Sequence, residues 1–148
     1  MKIALDTNIL AYAEGVNDTV RREAVLTLLR QLPEESALIP AQVLGELFNV
    51  LVRKGGRSKM QAREALLGWS DSFQTIPTSF DIVMAAADLA ADHGFSIWDA
   101  VILAAASQGG CRLLLSEDLQ NGFTWGGVTV VNPLILPQHP LLTALLHA

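Results

Sequence analysis

Two short apolar runs, Ile3-Ala4-Leu5 and Leu113-Leu114-Leu115, end abruptly in polar triplets, Asp6-Thr7-Asn8 and Ser116-Glu117-Asp118. Runs this brief and this continuously hydrophobic read as strands buried on both faces, the pattern of a parallel sheet covered by helices. Elsewhere the apolar spacing lengthens to that of helices. The expected order is strand 2–5, helix 8–14, helix 18–31, strand 36–39, helix 41–54, helix 59–71, strand 73–76, helix 80–93, helix 97–108, strand 112–115 and strand 128–131. Strands alternating with helices predict an α/β fold of three layers, with a central, mainly parallel sheet flanked by helices.

A chain of 148 residues buries about 70% of its unfolded surface, enough for one cooperative core. One domain over 1–133 is expected, with a tail at 134–148 that docks on the domain or lies at an interface. No apolar run approaches the ~20 residues needed to cross a bilayer, so no membrane association is expected. Asp6 interrupts the amino terminus too early for a secretion signal. The one cysteine, Cys111, excludes an internal disulfide and suits a reducing, cytoplasmic setting, where it packs as a small hydrophobe. No zinc-ligand spacing, glycine-rich phosphate loop or nucleophile elbow is present. Asp18 and Ser58 are expected caps, Ser79 precedes a helix whose Ile82, Val83, Ala86, Leu89 and Ala90 form a core stripe, and His93 before Gly94 reads as a helix end. Trp98 and Trp125 read as core or interface aromatics.

Four acids stand where strands end or helices begin, in apolar surroundings that do not otherwise call for charge: Asp6, Glu46, Asp99 and Asp118. Each has a bland explanation. Asp6 is placed to cap the helix that follows it. Glu46 borders the apolar stripe of Val43, Leu44, Leu47, Val50 and Leu51, where a surface acid also sits well. Ser96 and Asp99 have the spacing of a capping box. Ser116 or Asp118 fits a turn, and the repeat of strand, polar residue and acid favours Asp118 over Glu117. Gathered in one cleft, carboxylates at about 4 Å would repel by roughly 4 kcal/mol per pair. A divalent cation with a preference for oxygen, Mg²⁺ or Mn²⁺, relieves that repulsion and supports phosphodiester hydrolysis. In this reading Asp6 and Asp99 anchor the better-held ion. Glu46 and Asp118 complete its surroundings, and Asn8 and Ser116 orient the ligand oxygens from behind.

The net charge of −5 argues against indiscriminate nucleic-acid binding. Positive charge is instead local, at Arg53, Lys54, Arg57, Lys59 and Arg63 around Gly55-Gly56, which reads either as a solvated helix junction or as a phosphate track.

Taken in order, Asp-Thr-Asn at the first strand, Glu46 in a mid-chain helix, Ser96-Ile97-Trp98-Asp99-Ala100 and Leu114-Leu115-Ser116-Glu117-Asp118-Leu119-Gln120-Asn121-Gly122 resemble the PIN-domain family, and within it the VapC-type toxins. The resemblance spans Met1 to Pro133, including the Gly126-Gly127-Val128-Thr129-Val130-Val131-Asn132-Pro133 ending. It implies a metal-dependent endoribonuclease that cuts RNA to leave a 3′-hydroxyl and a 5′-phosphate. Its acids match Asp6, Glu46, Asp99 and Asp118, with Asn8 and Ser116 at the family's polar positions. Gln120 stands where many members carry another Asp. An antitoxin protein is the implied partner, accepted beside the acids by Leu44, Leu47, Phe48 and Leu51, and a homodimer is expected. Two other classes fit parts of the pattern: a catalytically silent PIN-like scaffold, and a phospho-acceptor signalling domain, which would want a strand-end lysine that this chain lacks.

Overall fold

A computed structural model describes residues 1–147. Strands β1 (Lys2–Leu5), β2 (Ala37–Pro40), β3 (Gln74–Ile76), β4 (Cys111–Leu115), β5 (Thr124–Trp125) and β6 (Val128–Val131) form one sheet in the order β3-β2-β1-β4-β6-β5. Every neighbouring pair is parallel except β5 with β6. Consecutive residues of a strand face opposite sides of the sheet, and Ile3, Ala4 and Leu5 are all fully buried, so both faces are covered. The cover is helical: α1 (Thr7–Ala13), α2 (Thr19–Gln31), α3 (Ala41–Arg53), α4 (Lys59–Ser72), α5 (Phe80–His93), α6 (Ile97–Gln108) and α7 (Pro140–Leu146). Helix α6 is apolar on every side, and Ala100 through Ala106 are buried without a break.

Local chemistry sets where the helices begin. Asp18 accepts from the amides of Val20 and Arg21, Ser58 and Gln61 form a reciprocal capping box, and Ser79 and Ser96 accept from Ile82 and Asp99. In α3 the inward stripe is Val43, Leu47 and Leu51, all fully buried, with Leu44, Phe48 and Val50 at its margins. Leu47 and Leu51 are therefore core residues and present no surface to a partner helix, contrary to the expectation for an antitoxin groove.

The strand order reverses direction at β1. From β1 the chain builds outward through β2 to β3, then returns to the other side of β1 to lay down β4. The crevice beyond the carboxyl ends of β1 and β4 is thus a topological switch point, the place where open α/β sheets hold ligands.

Three features differ from the sequence expectation. In α5 Ile82, Ala86 and Leu89 face inward, while Val83 lies outside the stripe with Phe80 and Met84 exposed beside it. Trp98 is 59% exposed, which overturns the core alternative and leaves the interface one. Two elements were not anticipated: β5, joined to β6 through Gly126 and Gly127 at φ 57° and 80°, and α7 in the tail. Pro140 occupies the first turn of α7, where its missing amide costs nothing, and His139 Nδ1 accepts from the Leu141 amide at 3.1 Å. Leu142 and Leu145 of this helix are buried.

Leu142→Ala is expected to lower the unfolding free energy by about 2–5 kcal/mol, as for other fully buried leucines. Urea titration checks this. Unchanged stability would mean that α7 lies outside the cooperative unit.

Candidate metal centre and catalytic cleft

The pairing of β1 with β4 places Leu5 opposite Leu115, so the next residues, Asp6 and Ser116, emerge side by side in the crevice. The Asp6 amide continues the ladder by donating to the Leu115 carbonyl at 3.0 Å. Asp6 is 5% exposed. Its Oδ1 accepts from the Thr7 amide at 2.7 Å and its Oδ2 from the Ser116 hydroxyl at 2.7 Å. The residue thus caps α1 and still turns a carboxylate into the cleft. Burial raises its carboxyl to about 6, against the lowering effect of the Ser116 and Thr7 hydrogen bonds, and the charges of Asp99 and Asp118 add to the rise.

Glu46 reaches the same cleft from α3, half-buried, with its Oε2 accepting from the Thr7 hydroxyl at 3.3 Å. Burial, then the Asp6 and Asp99 charges, push its carboxyl up to about 7, only partly offset by Thr7. Asp99 stands in the first turn of α6. Ser96 accepts the Asp99 amide at 3.2 Å, one half of a capping box, and the Asp99 carboxylate is left for other work. Asp118 is exposed and is held by Asn8, whose Nδ2 donates to it at 3.2 Å. The same amide also lies 3.4 Å from Asp6 Oδ2 and from Ser116 Oγ. Two hydrogens are thus shared among three oxygens. Asn8 Oδ1 accepts the Glu117 amide at 3.0 Å and fixes the turn that carries Asp118.

Residues that the sequence gave no reason to select brace this cleft. Arg21 Nε donates to Glu117 at 2.8 Å, Tyr12 donates its hydroxyl to the same carboxylate, and the Arg21 guanidinium lies over the Tyr12 ring. Although burial works against its charge, these hydrogen bonds hold the Glu117 carboxyl below its usual range. Glu117 is thereby committed to structure. On the other flank Glu14, just beyond α1, accepts from Arg57 Nη1 at 2.5 Å and from the Trp69 indole at 2.9 Å, while its carbonyl accepts from Arg57 Nη2 at 2.7 Å. This ties α1 to the α3–α4 hairpin that carries Glu46. Thr7 had a visible signal in its place in the polar triplet, and Arg57 one of another kind in its place in the basic patch. The bracing pairs lie 43 to 105 positions apart in sequence.

Among the described residues, no three His, Cys, Asp or Glu side chains form a group that closes on a metal ion. The four acids share one electrostatic field, yet they stand apart as a ligand cage. Their chemistry fits a hard divalent cation that keeps several of its waters and reaches some carboxylates through them. The raised carboxyls of Asp6 and Glu46 fit it too, since a cation would favour their charged forms. Of the five cations expected to form an RNA track, Lys54 lines the cleft with Glu46 and Asp118. Arg53, Lys59 and Arg63 are exposed nearby in sequence, whereas Arg57 is engaged by Glu14.

The PIN-domain family model matches residues 3–121, and the chain belongs to the PIN-domain family. No curated protein matches it significantly. Among solved structures, VapC20 of Mycobacterium tuberculosis, a Sarcin-Ricin loop cleaving toxin, is similar with a TM-score of 0.67 at 22% identity, covering 79% of this chain and 92% of that one. A toxin–antitoxin complex from Klebsiella pneumoniae gives 0.64 at 22% identity, covering 86% and 96%. FitAcB from Neisseria gonorrhoeae gives 0.61 at 21% identity, covering 88% and 97%. At these identities the likeness is one of fold.

Because Asp6 and Glu46 are raised from 3.8 and 4.5 to about 6 and about 7, the folded chain binds more protons than the unfolded chain between those limits. Metal-free stability should therefore fall as pH rises through that window, the cost being absent below it and complete above it. Asp18 and Glu117, whose carboxyls are lowered, act only at more acid pH. Asp6→Asn keeps an acceptor for the Thr7 amide and removes the buried charge. In EDTA it is expected to gain on the order of 3 kcal/mol over wild type at pH 8 and little at pH 4. Urea melts at both pH values check this; equal differences at the two would contradict the assignment.

Proposed function

We propose that the chain is a metal-dependent endoribonuclease, using Mg²⁺ or Mn²⁺, that acts as the toxin of a toxin–antitoxin pair. The observation that carries this reading is that acids from four separate elements meet at the switch-point crevice of a PIN fold, where Asp6 feels the charges of Asp99 and Asp118 and Glu46 those of Asp6 and Asp99. Asp6 and Asp99 would anchor the ion, with Glu46 and Asp118 engaging it through water or holding a second ion once substrate is bound. When bound, the ion supplies activation of water and neutralisation of charge at phosphorus. The chain's own residues set the rest. Ser116 and Thr7 aim the Asp6 carboxylate, and Asn8 keeps the Asp118 turn in register. Water adds to phosphorus, the bond to the 3′-oxygen breaks, and that oxygen leaves as a hydroxyl, so the other fragment carries a 5′-phosphate.

RNA as substrate is supported by the likeness to VapC20, a toxin that cleaves the Sarcin-Ricin loop. An antitoxin partner is supported by the toxin–antitoxin complex among the neighbours. Its arginine or lysine would pair with the cleft acids. Self-association would cover the outward face of α5, where Phe80, Val83 and Met84 are exposed. Among the described residues no helix is long and apolar enough to cross a membrane.

Asp6→Asn and Asp99→Asn are each expected to reduce Mg²⁺- or Mn²⁺-dependent RNA cleavage by more than about 100-fold, beyond the loss typical of an outer partner of a metal ligand. Millimolar Mn²⁺ should raise the wild-type melting temperature by about 5–10 °C if it is present at 100 times its Kd, and Asp99→Asn should blunt the rise. Full activity in either variant would refute the ligand assignment. A wild type that cleaves no RNA with either ion would leave a silent scaffold.

A further inference from the structure

Two of the acids, Glu46 and Asp118, line one end of a cleft of about 300 Å³ between α1 and α3. Glu46, Val50 and Lys54 follow one another at helical spacing along one wall, and Asn8, Ala11 and Tyr12 do so along the other. Lys54 therefore lies about 12 Å further along α3 than Glu46. Away from Glu46 and Asp118 the lining changes character. Ala11, Val16 and Val50 give an apolar floor, and no acid lines this end. Tyr12 is held rigid by Glu117 and Arg21. Lys54 is exposed and takes no part in the ion pairs of the described residues.

Asn17 closes the far end with a backbone φ of 71° and an exposed side chain. Glycine adopts that left-handed conformation at the least cost. Asparagine there sets an amide that donates and accepts at the mouth of the cleft.

An apolar floor, an amide and a free ammonium next to a phosphodiester-cleaving centre match the three parts of one nucleotide: base face, base edge and phosphate. We propose that this end of the cleft is a nucleotide subsite that seats the base flanking the scissile phosphate, with Asn17 reading its edge and Lys54 binding the adjoining phosphate. The proposal rests on the nuclease reading and extends it to substrate selection. Asn17 is then a specificity residue of the site, and Lys54 the member of the patch around Gly55-Gly56 that makes its phosphate contact inside the cleft.

The test has two arms. The first measures binding by fluorescence anisotropy in EDTA, with labelled single-stranded RNA tetramers of each base. The second sequences the products of a randomised RNA pool cut in Mn²⁺. The variants are Asn17→Gly, which suits the left-handed backbone and so should fold, and Lys54→Ala. Wild type should discriminate among the four bases, and Asn17→Gly should flatten that discrimination to within about two-fold. Lys54→Ala should weaken tetramer binding about five- to ten-fold and reduce the salt slope by about one. A base preference kept intact in Asn17→Gly, or no preference in wild type, overturns the subsite whatever the cleavage arm gives. Binding preference that depends on Asn17 without any cleavage sustains the subsite and removes the nuclease reading. Cleavage whose preference ignores Asn17 does the reverse.

Discussion

The pairing of β1 with β4 is the constraint on which the rest of the site depends. Because Leu5 faces Leu115, the residues that follow leave the sheet together, and a buried carboxylate meets a buried hydroxyl at the one place where the topology opens a crevice. A shift of one residue would turn Asp6 or Ser116 into the opposite layer. The buried apolar runs Ile3–Leu5 and Leu113–Leu115 guard against that slip, since any other register would expose leucine at the crevice or bury more polar atoms without partners. Among the described residues no buried side-chain nitrogen or oxygen is left without a hydrogen bond. The acids are thus structurally satisfied and electrostatically frustrated at once, which is the condition in which a cation gains most.

Holding acids at a mutually repulsive separation requires mechanical ties, and these come from outside the cleft. The Glu14 carboxylate uses both oxygens, one on Arg57 and one on Trp69, so that α1 cannot drift from the α3–α4 hairpin. The Tyr12–Glu117–Arg21 group does the same for the turn after β4. Both sets join elements distant in the chain, and both use Arg, whose forked donors hold direction as well as distance. Glu46 and Asp118 are accordingly positioned by ties that reach across the fold, most of them made outside the cleft.

What was legible in the sequence follows from how local the signal is. Strand and helix positions came from runs of four to fourteen residues, and helix starts from serines and aspartates within three positions of the amides they cap. Asp6 was legible because a carboxylate interrupts a run that is otherwise buried. The misreadings came from surfaces. Val83 is an apolar residue at helical spacing that solvent receives, and the pattern of types alone does not say which edge of a stripe turns outward. Helix α7 was masked by three prolines, although one of them sits where a helix tolerates it. The braces were illegible for a different reason. An ion pair such as Arg21 with Glu117 leaves no periodicity in sequence, and only the fold brings its members together.

A net charge of −5 does not oppose the proposed RNA substrate once distance is considered. At physiological ionic strength charges are screened beyond about 8 Å, so a phosphate senses the groups beside it and little of the molecule's total. The engagement of Arg57 by Glu14 thins the basic cluster near the cleft but also anchors the segment that bears it. Lys54 is the cation that lies within the cleft itself, two helical turns from Glu46. An anionic chain entering there meets one ammonium before it meets four acids. Without a cation at the acids its phosphate would be repelled from them, and with one bound the same carboxylates would help to hold it. On the proposed nuclease reading a cation would therefore draw the phosphate from Lys54 towards the acids, so the acidic character of the cleft would favour the productive position over mere binding.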